Sequence, residues 1–441
     1  MNLKFWLNES KGFKRWIVLG ILSILIIVIG ILNAIISGLD NLHEIYLCTG
    51  IISFGIFSVF ISVKNGIKAL FKFINKEFNN PNLDTKEIKD MIYEKRILVK
   101  GPKVVVIGGG TGLSNLLRGM KKFTSNITAI VTVADDGGGS GVLRDDLGML
   151  PPGDIRNCIL ALAHTEPVME ELLQYRFTDG RLKGQSFGNL FLAAMDGISD
   201  NFMEAVQKVS SVLAVTGQVL PVTLKNVRLK AKLKNGNIVE GESNIPEEAI
   251  KQNTCIEKVF IEPKNARALR EAVLAIKEAD AIILGPGSLY TSIIPNLLIK
   301  EIKDEVHKST ASKIYISNIM TQNGETENYT VKDHIKAIYK HAGKGIIDYT
   351  IVNNGSIEKE LEEKYKKQEA TLVKVDREEV EKMNIKVIED NLIKIKDGYI
   401  RHDTTNICKI IMQTIMEDKF NYDKGKMSQY FYLLGRLRKK S

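Results

Sequence analysis

Cysteine is scarce in this chain and widely scattered. Cys48, Cys158, Cys255 and Cys408 are the only four in 441 residues, and no CxxC pair occurs. A disulfide scaffold and a cysteine-built zinc site are thereby excluded, and a reducing compartment is indicated. Zinc-finger spacing, an aromatic RNP-like strand and a compact Lys/Arg block are also absent, so nucleic acid is not an expected partner. Neither GxSxG nor HExxH is present, and no cysteine–histidine arrangement stands in for them, which leaves serine hydrolase and zinc protease readings without parts. Apolar residues make up 44% and charged residues 26%, which excludes wholesale disorder. The formal net charge of +9 suits an anionic ligand or an anionic lipid without choosing between them.

Charge is missing altogether from two early stretches. Residues 17–36 read IVLGILSILIIVIGILNAII, and residues 45–63 read IYLCTGIISFGIFSVFISV. Each is long enough to cross a hydrocarbon layer. Between them stand Asp40 and Glu44 but no Lys or Arg. Lys4, Lys11, Lys14 and Arg15 flank one side, and Lys64, Lys68, Lys72 and Lys76 the other. The positive-inside rule then puts both termini and the main domain in the cytoplasm, with a short external turn. No small-x-small cleavage pattern favours a signal peptide. A buried soluble hairpin is the competing reading. With no ionisable residue inside either run, the hairpin reads as an anchor rather than a transport path.

The expected organisation follows. Residues 1–63 form a transmembrane hairpin, 64–95 a basic juxtamembrane linker with a flexible joint, 96–417 an α/β body, and 418–441 a basic peripheral tail. Within the body, glycine turns separate Ile/Val-rich runs from amphipathic helical segments, the pattern of a parallel sheet with flanking helices. Residues 222–261 alternate polar and apolar around Asn235-Gly236 and predict a small antiparallel excursion.

Chemistry is expected at the strand ends. Gly108-Gly109-Gly110-Thr111-Gly112 closes the first strand of the body, where glycine lets backbone N–H groups approach anionic oxygens. A dinucleotide fingerprint would need glycine at position 113, which is Leu113, and a Walker loop would need a closing Gly-Lys-Ser/Thr, which is absent. Phosphate or nucleotide binding remains, with a merely tight turn as its rival. Asp135 and Asp136 are expected to end the second strand and reach the same crevice. One would hold a sugar hydroxyl or a phosphate-bridging Mg2+ and the other the glycine loop, unless both only cap an acidic turn. Gly137–Gly141, including Gly138, is a candidate anion nest, and Arg144 a candidate phosphate clamp. Asp154 can cap a helix starting at Ile155, while Arg156 and Asn157 sit in its first turn, where an arginine opposes the helix dipole and points to an anion. Ser186 and Asn189 either meet a ligand or lie where glycines serve packing. Ser288 and Thr291, then Asn318, Thr321 and Gln322, offer polar groups at further strand ends. His402-Asp403 is a proton-handling pair or an ordinary polar turn.

Together GGGTGLSNLLRG (108–119), ADDGGGSGVLR (134–144), PPGDIRN (151–157), GQSFGN (184–189) and GPGSLYTSIIPNL (285–297) resemble the bacterial YvcK-type proteins, also called gluconeogenesis factors. These in turn are similar to the 2-phospho-L-lactate transferases of coenzyme F420 synthesis. The resemblance spans Val104 to Thr414 and leaves out the hairpin, which many relatives lack. It implies a Rossmann-like body that binds a nucleotide-linked ligand. The transferase branch moves a phospholactyl group from a nucleotide to a flavin-like acceptor with Mg2+. The YvcK-type branch is linked to cell shape and peptidoglycan synthesis on gluconeogenic carbon sources, and to UDP-sugars such as UDP-N-acetylglucosamine. By motif, Gly109, Gly110 and Thr111 would line the phosphate site, with Asp135 and Asp136 nearby and Asn189, Gly287, Ser288 and Leu289 completing it. A metal, where used, would fall to Asp136 and Asp154, although GGGSG plus PPGD departs from the acidic stretch of the transferases. The expected function is a membrane-tethered UDP-sugar sensor that needs no cofactor. Its expected partners are the bilayer and cell-wall synthesis proteins, with homo-oligomerisation left open. A Mg2+-dependent transferase is the runner-up.

Overall fold

The computed structural model describes residues 11–36, 41–77, 85–421 and 423–440. Lys4, Asp40 and the linker's Pro81 lie outside them. The chain divides into two units, Met1–Lys95 and Arg96–Ser441. The first contains the helices Lys11–Ile36 and Leu42–Glu77. Stretches of 22 and 28 residues within them are apolar enough to span a bilayer, and only 11% and 17% of their most apolar windows is buried. Large apolar side chains such as Leu25, Phe54 and Phe60 face outward. Small and polar residues face the partner helix. Ser23 Oγ lies 2.7 Å from Ser58 Oγ, and a Cβ at Gly30 would lie 2.9 Å from Ile52. The two helices thus meet along a seam of small and polar residues and turn large apolar side chains outward.

The second unit is a seven-stranded parallel sheet with flanking helices. Its strands are β1 (Val104–Gly108), β2 (Ile127–Val131), β3 (Gln218–Pro221), β7 (Ala281–Leu284), β8 (Ser312–Ile316), β9 (Tyr349–Asn353) and β10 (Lys386–Asp390), in the order β10-β9-β8-β7-β1-β2-β3. Every residue of β1, β7 and β8 is buried, because helices cover both faces and apolar side chains are needed on each. The antiparallel excursion is β4 (Arg228–Leu233), β5 (Ile238–Glu240) and β6 (Ile256–Glu262), with Gly236 turning at φ +94°. A second hairpin, β11 (Ile393–Lys396) and β12 (Tyr399–His402), turns through Asp397 and Gly398, both at positive φ. That geometry is the signature of a Asp-Gly type I′ turn.

Several boundaries differ from expectation. The helix Thr85–Val99 runs across the expected border between linker and body at residue 96. β2 ends at Val131, so Asp135 and Asp136 stand in the following loop, where the chain has already turned. The tail is a helix, Lys424–Lys440, whose Tyr430 and Leu433 are buried. Tyr430 Oη donates to the Lys409 carbonyl at 3.2 Å.

Strand order fixes where a ligand can sit. From β1 the sheet grows one way through β2 and β3 and the other way through β7 to β10. The order reverses between β1 and β7, and the two chains leaving their carboxyl ends part there and open a crevice.

Candidate functional site

Both strands at that switch end in glycine loops. After β1, Gly110 adopts φ +68° and opens the helix Gly110–Met120. After β7, Gly285 adopts φ +83°. The loops touch: a Cβ at Gly112 would lie 2.7 Å from the Pro286 carbonyl oxygen, and one at Gly287 would lie 3.3 Å from the Gly109 carbonyl oxygen. Side chains here would force the loops apart, which is why the motif is glycine. Buried Asn296 ties them to the sheet, its Nδ2 donating to the Gly108 carbonyl at 3.2 Å.

Between the loops opens a cavity of about 370 Å3. Gly109, Gly110, Thr111, Gly287 and Ser288 all line it, as do Asn318 and Gln322. Gln322 Nε2 donates to Ser288 Oγ at 2.9 Å, so the far wall is a hydrogen-bonded polar surface. Leu289 is fully buried and packs in the core instead. Asn189 is also buried away from the cavity lining, with its Oδ1 lacking a partner. Ser186 caps its helix, accepting from the Asn189 N–H at 3.2 Å.

The acidic residues are sorted by the fold. Asp154 Oδ2 accepts the Gly110 N–H at 2.7 Å, making it a brace for the glycine loop. Burial pushes its carboxyl up to about 6, against the pull of that N–H. Asp135 accepts from the Gly137 N–H at 2.9 Å, and burial raises it too. Asp136 turns the other way. It accepts the N–H groups of Glu242 and Ser243, both at 3.0 Å, and the Ser243 hydroxyl at 2.8 Å. It thus anchors the segment that enters the helix Asn244–Lys251. Among the described residues no group of three or more His, Cys, Asp or Glu is arranged to hold a metal ion. Mg2+ bound through one or two carboxylates and substrate phosphates needs no such group.

Arg144 departs from its expected role. It is buried and donates to Asn226, to the Val227 carbonyl at 2.6 Å and to the Asp135 carbonyl at 3.3 Å. It clamps protein, not phosphate. Gly138 opens the helix Gly138–Leu147 at φ +46°, outside the cavity lining. Asp403 caps the helix Thr404–Lys419 by accepting from the Thr405 and Asn406 N–H groups at 3.0 and 3.2 Å, so His402-Asp403 is no proton-handling pair.

Two carboxyl groups carry no motif and escape sequence reasoning. Glu242 lines the cavity, and burial, with the charges of Asp135 and Glu325 added, pushes its pKa up to about 8. Glu325 is buried, accepts from the Tyr290 N–H and the Thr291 hydroxyl, both at 3.3 Å, and is pushed up to about 7 by burial. The sole sequence hint was a glutamate in each of two polar loops after β5 and β8.

The chain as a whole finds counterparts among known proteins. Residues 104–393 match the family 2-phospho-L-lactate transferase CofD. The chain belongs to the CofD family. Within it, the relatives are gluconeogenesis factors. The Bacillus subtilis gluconeogenesis factor is 49% identical over 317 residues, 72% of this chain and 99% of that protein. A provisionally named gluconeogenesis factor of Clostridium acetobutylicum is 59% identical over 434 residues, 98% of this chain and 96% of that one. A match of that length takes in the apolar N-terminal helices. A crystal structure from Bacillus halodurans, described as a member of the UPF0052 family, is 47% identical with a TM-score of 0.68, covering 70% of this chain and 98% of that one.

Proposed function

We propose that this CofD-family chain is a membrane-tethered regulator that binds a UDP-sugar such as UDP-N-acetylglucosamine and sets cell-envelope growth under gluconeogenic conditions. The observation that carries the reading is the pair of interlocked glycine loops, after β1 and β7, lining one cavity at the switch of strand order. Backbone N–H groups at such loops suit a diphosphate, and the polar wall of Ser288, Asn318 and Gln322 suits ribose or sugar hydroxyls. Asp136 and Arg144 are engaged with protein, so the parts for moving a phosphoryl-linked group are fewer than the aspartate pair promised. The two outward-facing apolar helices supply the tether, with the main unit on the cytoplasmic side by the charge flanks. Partners in cell-wall synthesis belong to the same reading.

The runner-up, a Mg2+-dependent transferase with a nucleotide-activated donor, is favoured by the buried carboxyl groups Asp154 and Glu242 beside the loops. Calorimetry on the full chain in nanodiscs separates the two. UDP-N-acetylglucosamine and GDP are titrated with and without Mg2+, and each mixture is then checked for intact nucleotide. UDP-sugar binding without turnover supports the sensor. Mg2+-dependent GDP binding with product formation supports the transferase.

A further inference from the structure

Beside the glycine-loop cavity lies a second cleft of about 670 Å3. Its walls are cationic. Arg118, Arg156, Arg176, Lys394, Lys396 and Arg401 line it against a single lining carboxylate, Asp397. The hairpin geometry explains half of this. Lys394 pairs with Arg401 and Lys396 with Tyr399 across β11 and β12, and alternation along a strand puts these four side chains on one face. Like charges opposed across a hairpin destabilise it, so folding alone gives no reason to collect them.

Little within the protein neutralises the set. Arg118 pairs with Glu170 at 3.1 Å. Arg156 donates to Ser186 and to Asn157, and Arg176 to the Gly184 carbonyl, all neutral acceptors. The Arg156 Nε is buried with no partner. No ion pair reaches Arg156, Arg176, Lys394, Lys396 or Arg401 among the described residues. A nucleoside diphosphate in the glycine-loop cavity does not answer this charge, because Arg401 is the one cation of the six that also lines that cavity.

We propose that the cleft is a second ligand site, for a phosphorylated, polyhydroxylated small molecule of hexose-phosphate size. The cations hold its phosphate, and the amides of Asn157 and Gln174 with the Tyr399 hydroxyl meet its hydroxyls. Thr111, Asn115 and Thr404 line both sites and form the wall between them, so occupancy of one is felt at the other. The proposal goes beyond the nucleotide-sugar reading and does not depend on it.

The test is calorimetry on the full chain in neutral-lipid nanodiscs at fixed ionic strength. Glucose 6-phosphate is the probe, titrated alone and after saturation with UDP-N-acetylglucosamine, and inorganic phosphate is the size control. Glucose 6-phosphate is expected to bind in both conditions, at least about tenfold more tightly than inorganic phosphate. The double variant K394Q/K396Q, changed at two exposed side chains, is expected to weaken it about tenfold or more while altering UDP-sugar affinity less than about twofold. The proposal is overturned by no binding to the wild-type chain, by one-for-one displacement by the UDP-sugar, by parity with inorganic phosphate, or by unchanged affinity in the double variant. Glucose 6-phosphate binding that the variant loses, with no UDP-sugar binding anywhere, would uphold this site and remove the nucleotide-sugar reading.

Discussion

The glycine-loop cavity and the cationic cleft share Thr111, Asn115, Arg401, His402 and Thr404, yet their electrostatics are opposite. The cavity is built from backbone and backed by carboxyl groups: Asp154 behind one loop, Glu242 on the wall and Glu325 beyond it. The cleft is built from long, mostly exposed cationic side chains. Backbone N–H groups aim partial charges at an anion without adding net charge, so they tolerate buried acids nearby when those acids are protonated. Side-chain cations act over a longer range but are screened by salt. If both proposals hold, one fold offers two ways to bind an anion, side by side.

The largest effect should come from separating the glycine loops. Gly112→Val places its side chain against the Pro286 carbonyl, 2.7 Å from where its Cβ begins. UDP-sugar affinity should fall by about 100-fold or more, read by calorimetry, with overpacking of about 1–3 kcal/mol seen in the denaturant midpoint. Retained affinity would show that the loops are packing devices and would dissolve the contrast.

Next comes the acid behind the cavity. Glu325 has a folded-state pKa of about 7 against an ordinary 4.5. Its contribution to stability is therefore fully present below about pH 4.5 and is lost as pH rises through about 7. Glu325→Gln should flatten the loss of stability between pH 5 and 8, a difference on the order of 2–3 kcal/mol at the alkaline end, measured by urea unfolding across pH. Parallel curves for the two proteins would place the buried charge elsewhere.

Asp136→Ala should have a smaller effect and a structural one. Releasing the Glu242 and Ser243 N–H groups should cost about 1–3 kcal/mol of stability and weaken UDP-sugar binding through the displaced Glu242 wall. An Asp136→Asn protein that keeps the fold but loses only Mg2+-dependent binding would restore the metal role. Smallest of all should be the response of the glycine-loop cavity to salt. Raising NaCl from 50 to 300 mM should weaken UDP-sugar binding about threefold or less, while glucose 6-phosphate binding falls by about tenfold.

Much of the scaffold was legible in advance. Runs such as Val104–Ile107 and Ala281–Leu284 are apolar at every position, as strands buried on both faces require, and glycine clusters marked where two of those strands stop. Asn235-Gly236 correctly marked a hairpin, and Asp397-Gly398 carried the same signal unread. The site was legible only in its backbone. Gly109, Gly110, Thr111, Gly287 and Ser288 line one cavity, whereas Arg144, Asn189 and Leu289 are buried away from it.

The amino-acid sequence by itself determined the local rules: where the chain is too apolar for water, where it extends, and where only glycine permits the bend. Those properties depend on a few neighbouring residues, so they can be read along the chain. Which charges meet was decided by tertiary structure. Arg144 donates to Asn226 and Val227, 82 and 83 residues away, and Asp136 accepts from a loop 106 residues on. The cleft collects cations from helix ends near β1 and from a hairpin almost 300 residues later in the chain. Electrostatics depends on distance in space and on access to water, and neither is set until the sheet has closed its layers.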